Sequence, residues 1–587
     1  MEMKERDAML KPYIEAIPDI VKYQIATKIL LGIWLFLLGR LFRVLLNSTG
    51  RVAVSSGDFT FLFTSWQGLL IIVIALSTLF MYVALDLNAQ IILSRDLRIK
   101  EDVNVWYCCM KAIRSIPRLI NFKGIGVAIY ILLIAPIIGI GFSVTLTKGF
   151  YIPTFISSVI EETPLYLILA SLAAIFFAIV GIANLFILHG VVIDKLSIKD
   201  AGLRSKKIMK ENGKDFLNQN IEFILVMAAV LGIIVFVVLI LPLAITNILP
   251  LSDSLKRGLI IFLMLQGIIL SFVADLLAMP LYMMKMTQLY FEYSTGQKYQ
   301  YKGRKIRKHR FDKYALIASL IALVIFAIMI NHDFDDIFPQ DSQVKIIAHR
   351  AGGIEGAENT VSGLEKAWQI GAYGAEIDIQ RTKDGHYILN HDGNFARVAG
   401  DNRKPEEMTL AEIKSLSVDG QPIPTFEEML EASKGKMVLF TELKGDTADR
   451  QMADDAVRLI KEYGMEDEVV LISLKYDLIN YIETTYPEMQ TGYLTFASFG
   501  DTALLNCDYL ALEEESATAD AISAVHKQGK KVLIWTANKK QSQHHFMCSS
   551  ADAIITDNVS QANEVLEELE NRSDLSRIID GIRQFLS

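Results

Sequence analysis

Up to about residue 330 the chain offers one apolar run after another, separated by basic loops, and nothing else in it restricts the fold so strongly. A bilayer core of ~30 Å is crossed by about 20 apolar residues in a helix. Runs of that kind at 24–47, 66–92, 124–147, 164–190, 221–248, 258–290 and 314–330 predict an α-helical polytopic membrane domain of about seven spans. Pro136, Pro242 and Pro280 fall inside these runs and predict kinks, because proline removes a helix hydrogen bond.

Basic loop residues stay preferentially on the cytoplasmic side. The N-terminus and the loops 93–123, 191–220 and 291–313 hold 26 Lys and Arg, against four in the alternate loops 48–65, 148–163 and 249–257. Seven spans with a cytoplasmic N-terminus then place everything after Ile330 outside the cell membrane. The first 22 residues contain no short apolar core with a small-residue cleavage site, so the first run is expected to be an uncleaved anchor. Two basic loops, LRIKEDVNVWYCCMKAIRSI (97–116) and LSIKDAGLRSKKIMKENG (196–213), begin alike and predict a weakly duplicated unit of span, amphipathic helix and span. Of the polar residues within the runs, Asp86 and His189 are expected to meet water near helix ends, which leaves Asp275 as the residue an intramembrane function would use.

From His332 onward the composition becomes that of a water-soluble domain rich in Asp, Glu and Lys. The net charge of −8 argues against a nucleic-acid partner. Four cysteines, two of them adjacent (Cys108, Cys109), are no disulfide framework; a Cys507–Cys548 bridge is the one conceivable pairing. Short β-rich runs alternate with helical stretches: VKIIAH, GAEIDIQ, HYILNH, MVLFTEL, VVLISL, YLALEE, KVLIWTA and ADAIITD. Such alternation over about 220 residues predicts a parallel α/β domain, and a count near eight predicts a closed TIM-type (β/α)8 barrel. The expected domains are 1–335 (membrane), 344–562 (barrel) and 563–587 (a helical tail).

In such a barrel chemistry collects at the C-terminal strand ends. His349 and Arg350 close the first strand. Glu376 and Asp378, two apart on the next, share one face, with Ala375, Ile377 and Ile379 on the other. Two buried carboxylates need a counter-charge. Glu442, on the strand that also carries Lys444, completes an all-oxygen set suited to a divalent cation, Ca²⁺ or Mg²⁺, leaving Lys444 to meet an anion. His391 ends HYILNH, which returns through a Thr-Lys-Asp-Gly turn. Two imidazoles, an Arg, a Lys and three acids describe phosphoryl transfer, with the cation and Arg350 neutralising a phosphodiester and His349 and His391 acting as acid and base.

The strings AHRAGG, AENT, AEIDIQRTKDGHYILNHD, TELK and IWTAN, in that order, resemble the glycerophosphodiester phosphodiesterase family over about 344–560. The segment in front resembles the membrane domain of certain bacterial members. The resemblance implies metal-dependent cleavage of glycerophosphodiesters to glycerol 3-phosphate and an alcohol, by way of a cyclic phosphate formed by the glycerol 2-hydroxyl. It implies His349 and His391 as acid and base, Glu376, Asp378 and Glu442 as metal ligands, and Arg350, Lys444 and Trp535 as substrate-binding residues. Ala351 and Ala357 stand where the family usually has Gly and Pro, which puts the conformation of the first loop in question. Membrane lipids and a lipid-derived substrate are the expected partners. Two rivals are a phospholipase C- or D-like activity and a lipid-transport or scaffold protein whose barrel senses headgroups.

Overall fold

A computed structural model of the chain describes residues 3–55, 59–99, 103–119, 160, 163–298, 310–496 and 498–586. They form two compact units: one lies before Asp333, and the other comprises Asp333–Ser587 together with Phe42–Leu69.

Six helices among the described residues are long and apolar enough to cross a membrane: Leu10–Asn47, Trp66–Leu97, Pro164–Val192, Ile198–Ile248, Asp253–Thr295 and Lys313–His332. They coincide with six of the seven predicted runs; the run 124–147, with Pro136, lies outside the described residues. At most 22% of their most hydrophobic windows is buried, the reverse of a soluble protein, because lipid takes the place of a core. Pro242 follows a π-helical turn at Phe236–Ile240, which absorbs the ring that would otherwise clash with the preceding turn.

Two expectations change. The similar basic loops fold differently: Val105–Ser115 is a separate helix capped by Asn104, whereas 198–213 opens the continuous helix Ile198–Val235. His189 does not meet water. The chain turns at Asn184–Phe186, and the short helix Ile187–Val192 packs His189 against Phe186 and Tyr290, with its Nε2 3.2 Å from the Thr287 hydroxyl. Asp86 accepts the Tyr23 hydroxyl at 2.6 Å, and Asp275 is half-buried.

The second unit is the barrel. Its strands are β1 Lys345–Ala348, β2 Gly374–Arg381, β3 Val438–Leu443, β4 Val469–Ser473, β5 Gln490–Thr495, β6 Tyr509–Glu513, β7 Lys531–Trp535 and β8 Ala553–Thr556. Each pairs in parallel with its neighbour, and β8 pairs with β1 to close the ring. Alternation sorts the side chains: Ile347, Phe440, Val470, Ile472, Leu494, Ala511, Leu533 and Ile555 form one cluster inside the ring. Ala375, Ile377 and Ile379 turn outward into the larger core under the helices.

HYILNH is not a barrel strand. Its Tyr387–Leu389 returns antiparallel to β2 and aims His391 back at the mouth. The segment after it forms three short helical turns and a two-residue hairpin over its own small core of Phe395, Met408, Ile413 and Ile423. At the other end of the chain, helix Asp574–Leu586 is tied to the entry segment by Arg577, whose Nε donates to Phe338 O at 2.8 Å.

Candidate active site

The first loop brings the site together. Arg350 and Ala351 sit at φ +51 and +63, and Asn359 at +53, a left-handed conformation that costs a non-glycine residue roughly 1 kcal/mol or more. The loop reaches that conformation through its bonds to β2. The Arg350 N–H donates to Glu376 Oε2 at 2.8 Å and the Ala351 N–H to Glu376 O at 2.7 Å. At Gly353 (φ +55) an added Cβ would come 2.1 Å from Asp557 O, so only glycine allows the approach.

Oxygens of Glu376, Asp378 and Glu442 all lie within 4.8 Å of one another, and all three residues are buried. Lys444 donates to Asp378 at 2.9 Å and to Glu442 at 3.0 Å, so two of its three N–H donors are paired within the cluster. Asn359 clasps Asp378 from both sides, its Nδ2 donating to Oδ2 at 2.9 Å and its Oδ1 accepting the Asp378 N–H at 3.1 Å. Burial, then the charges of Asp378 and Glu442, push Glu376 well above the usual carboxylate range, against the pull of Lys444. Burial also pushes Glu442 up to about 7. Asp378 resists ionisation by its burial too, but Lys444, His391 and Asn359 hold it below its ordinary value. Two of three acids therefore resist ionising with Lys444 as their cation. A hard divalent ion is the group that would relieve them, and the donor set fits one.

Both imidazoles face this cluster. His349 shares a hydrogen bond of 2.6 Å between Nδ1 and Asp557 Oδ1, with Nε2 4.0 Å from Glu376. Burial opposes the ionisation of Asp557, yet His349, Asn538 and Arg350 keep its pKa below the ordinary value. The carboxylate can only accept, so Nδ1 carries the proton and Nε2 is presented to the site. His391 Nδ1 is 2.8 Å from Asp392, which Arg397 holds at 2.7 Å. Burial lowers the His391 pKa, with Lys444 and Arg350 adding to it against the pull of Asp378. Arg350 touches Glu358 at 3.3 Å, while its Nε is buried without a hydrogen-bond partner among the described residues, the condition of a donor built for an anion.

Seven of the eight sequence-predicted residues thus converge: His349, Arg350, Glu376, Asp378, His391, Glu442 and Lys444. Trp535 ends β7 on the far side of the ring, half-buried, its indole N–H on Ala511 O at 3.0 Å. The residues that sequence reasoning passed over are Asn359, Asp557 and the Glu358–Arg397–Asp392 chain. Asp557 could have been found, since it has the same inward parity as Ala553 and Ile555 one position beyond β8. A second group, His544, Cys548 and Asp580, also has metal-like spacing. There Arg572 lies 3.0 Å from Asp580 and 3.1 Å from the Cys548 sulfur, so that cluster has its cation already. Cys507 and Cys548 are free thiols, and the conceivable bridge is absent.

What meets at the C-terminal rim suits displacement at phosphorus in a diester, on a barrel that membrane-spanning helices carry. Comparison with known proteins agrees. Residues 349–561 match the glycerophosphoryl diester phosphodiesterase family, and residues 11–330, more than half of the chain, match the membrane domain of glycerophosphoryl diester phosphodiesterase. The chain is 28% identical over 231 residues to a glycerophosphodiester phosphodiesterase of Caldanaerobacter subterraneus subsp. tengcongensis, covering 36% of this chain and 93% of that one. It is 24% identical over 243 residues to one of Bacillus altitudinis, covering 38% and 99%. A crystal structure of a glycerophosphodiester phosphodiesterase from Parabacteroides distasonis superposes with a TM-score of 0.36 at 25% identity, over 39% of this chain and 98% of that one. The chain belongs to the glycerophosphodiester phosphodiesterase family, in its form with a membrane domain, and is a phosphoric diester hydrolase acting on glycerophosphodiesters.

Proposed function

We propose that the protein cleaves glycerophosphodiesters to glycerol 3-phosphate and an alcohol on the outer face of the cell membrane, with a divalent cation and two histidines. The observation that carries this reading is the buried trio Glu376, Asp378 and Glu442 flanked by His349, His391 and an Arg350 Nε that has no hydrogen-bond partner among the described residues. Glu376, Asp378 and Glu442 would hold Ca²⁺ or Mg²⁺, which when bound withdraws charge from the phosphate oxygens. Arg350 would bind the phosphate through its buried Nε.

His391, kept neutral by its lowered pKa, takes the proton of the glycerol 2-hydroxyl as that oxygen attacks phosphorus. His349, oriented by Asp557, enters the step as an imidazolium with a proton on each ring nitrogen. It gives its Nε2 proton to the departing alcohol and is left neutral with Nδ1–H on Asp557. The product is a five-membered cyclic phosphate. Water then opens it with the two imidazoles in exchanged roles, giving glycerol 3-phosphate. Lys444 keeps Asp378 and Glu442 ionised and in place.

Two observations support the outer face. Basic residues concentrate in alternate loops, and the sparsely basic loop 48–65 belongs to the barrel's own compact unit. A loop and a domain in contact lie on one side of the bilayer. The test is a panel of glycerophosphodiesters and intact phospholipids with the full chain, read as glycerol 3-phosphate release. Release from the water-soluble diesters supports the reading. Release of diacylglycerol or phosphatidic acid from intact lipids alone would transfer the function to a phospholipase C- or D-like activity.

A further inference from the structure

The arc of the barrel mouth opposite the charged cluster is finished by residues from far up the chain. Phe42–Leu69, which joins the first two spans, packs in the barrel's unit. Its strand Ala53–Ser55 pairs antiparallel with Ser498–Gly500, which follows β5, setting Ala53 opposite Gly500 and Ser55 opposite Ser498. Asp501 N–H donates to Val52 O at 3.2 Å, so the alternation of an antiparallel ladder puts Val54 at the next hydrogen-bonded position. The Ser55 and Tyr493 hydroxyls are hydrogen-bonded, Arg43 lies 3.6 Å from Asp501, and Leu46, Val54 and Ser55 are buried. A connection that merely crossed between spans would leave those apolar side chains wet.

This pairing carries Phe59 to the mouth. Its ring meets Phe496 edge-on at 6.1 Å and 79°. Leu494 lies inside the ring, and Phe496, two residues on, continues the same parity at the rim. Leu474 and Trp535, just past β4 and at the end of β7, pack on the same interior cluster. Glu513, in register with Trp535, is buried, and its Oε2 accepts the Glu515 N–H of the next turn.

We infer that the loop between the first two spans completes the active site. Phe59, with Leu474, Phe496 and Trp535, is the apolar wall for the alcohol of the diester, and it favours alcohols bearing an aromatic group or an acyl chain over small polar ones. This rests on the reading under Proposed function, and it makes the first stretch of the membrane domain part of the catalytic unit.

The experiment uses the full chain in detergent and compares kcat/KM for glycerophosphobenzyl alcohol and glycerophosphomethanol, a ratio that cancels any common loss. Phe59→Ala, and Val54→Pro to break the ladder, are each expected to lower the benzyl-to-methyl ratio about tenfold. Ratios within about twofold of wild type in both variants overturn the wall. So does a wild-type preference for glycerophosphoethanolamine that Glu513→Gln abolishes, since recognition would then be by charge. Docking has a separate readout. Ser55→Cys with Ser498→Cys stands at a non-hydrogen-bonded pair, whose spacing suits a disulfide. Failure to crosslink under oxidant overturns the docking. A wild type that releases glycerol 3-phosphate from neither ester overturns the hydrolase reading itself, while the crosslink still reports whether the loop is docked.

Discussion

The two arcs of the barrel mouth are built from the same strand-and-helix repeat and differ in what they place at the strand ends. From β8 through β3 the inward positions are Asp557, His349, Glu376, Asp378, Glu442 and Lys444, each tied to another by a bond or an ion pair. From β4 through β7 they are Leu474, Phe496, Glu513 and Trp535. Charge that must develop and move at phosphorus needs groups locked in place, whereas an alcohol that only has to leave needs shape. On the proposed reading, one barrel thereby separates reaction from selection.

That division is open to attack from the charged side first. His349→Ala or Asp378→Asn should reduce kcat for glycerol 3-phosphate release by on the order of 10³-fold or more with folding retained, by circular dichroism. A smaller cost, under about tenfold, would mean that the chemistry lies elsewhere. Asp557→Asn keeps the side chain's shape but no longer holds the Nδ1–H of His349 with a negative charge. A loss of about 10- to 100-fold in kcat with little change in KM is expected, by steady-state kinetics.

The acids also make a pH prediction. Glu442 rises in the fold from 4.5 to about 7 and Glu376 rises with it. A raised carboxyl stabilises the fold below its unfolded pKa, and that contribution is lost as pH rises through the folded value. Metal-free protein should therefore melt at lower temperature as pH climbs from 5 to 8. Protons compete with the cation, so affinity for Ca²⁺ or Mg²⁺ should rise by about tenfold per pH unit below 7, by titration calorimetry. The smallest effect belongs to the apolar arc. Trp535→Ala should raise KM about three- to tenfold for bulky alcohols and leave kcat within a few-fold.

The sequence made the charged arc legible because its residues lie at fixed parity on strands: Glu376 with Asp378, Glu442 with Lys444. Span length and loop charge did the same for the helices, since bilayer thickness leaves few alternatives. Of the apolar arc only Trp535 is legible, through the family resemblance, and the rest stays hidden. Phe496 and Leu474 read as ordinary core, and Phe59 lies more than four hundred residues before Phe496, with no periodicity to join them. For Lys444 the sequence reveals the face and not the pairing with Asp378 and Glu442. The burial of His189 is not legible, because a break in the helix at Asn184–Phe186 leaves no signature in hydropathy.

The central claim, that metal and imidazoles act together on a glycerophosphodiester, is tested most directly by glycerol 3-phosphate release from the purified full chain. The protein is stripped with chelator, repleted with Ca²⁺ or Mg²⁺, and compared with Glu376→Gln. Release that disappears with chelator, returns with the cation, and is absent from the variant at any cation concentration is the predicted result. Equal release before and after stripping, or a variant as active as wild type, would contradict it.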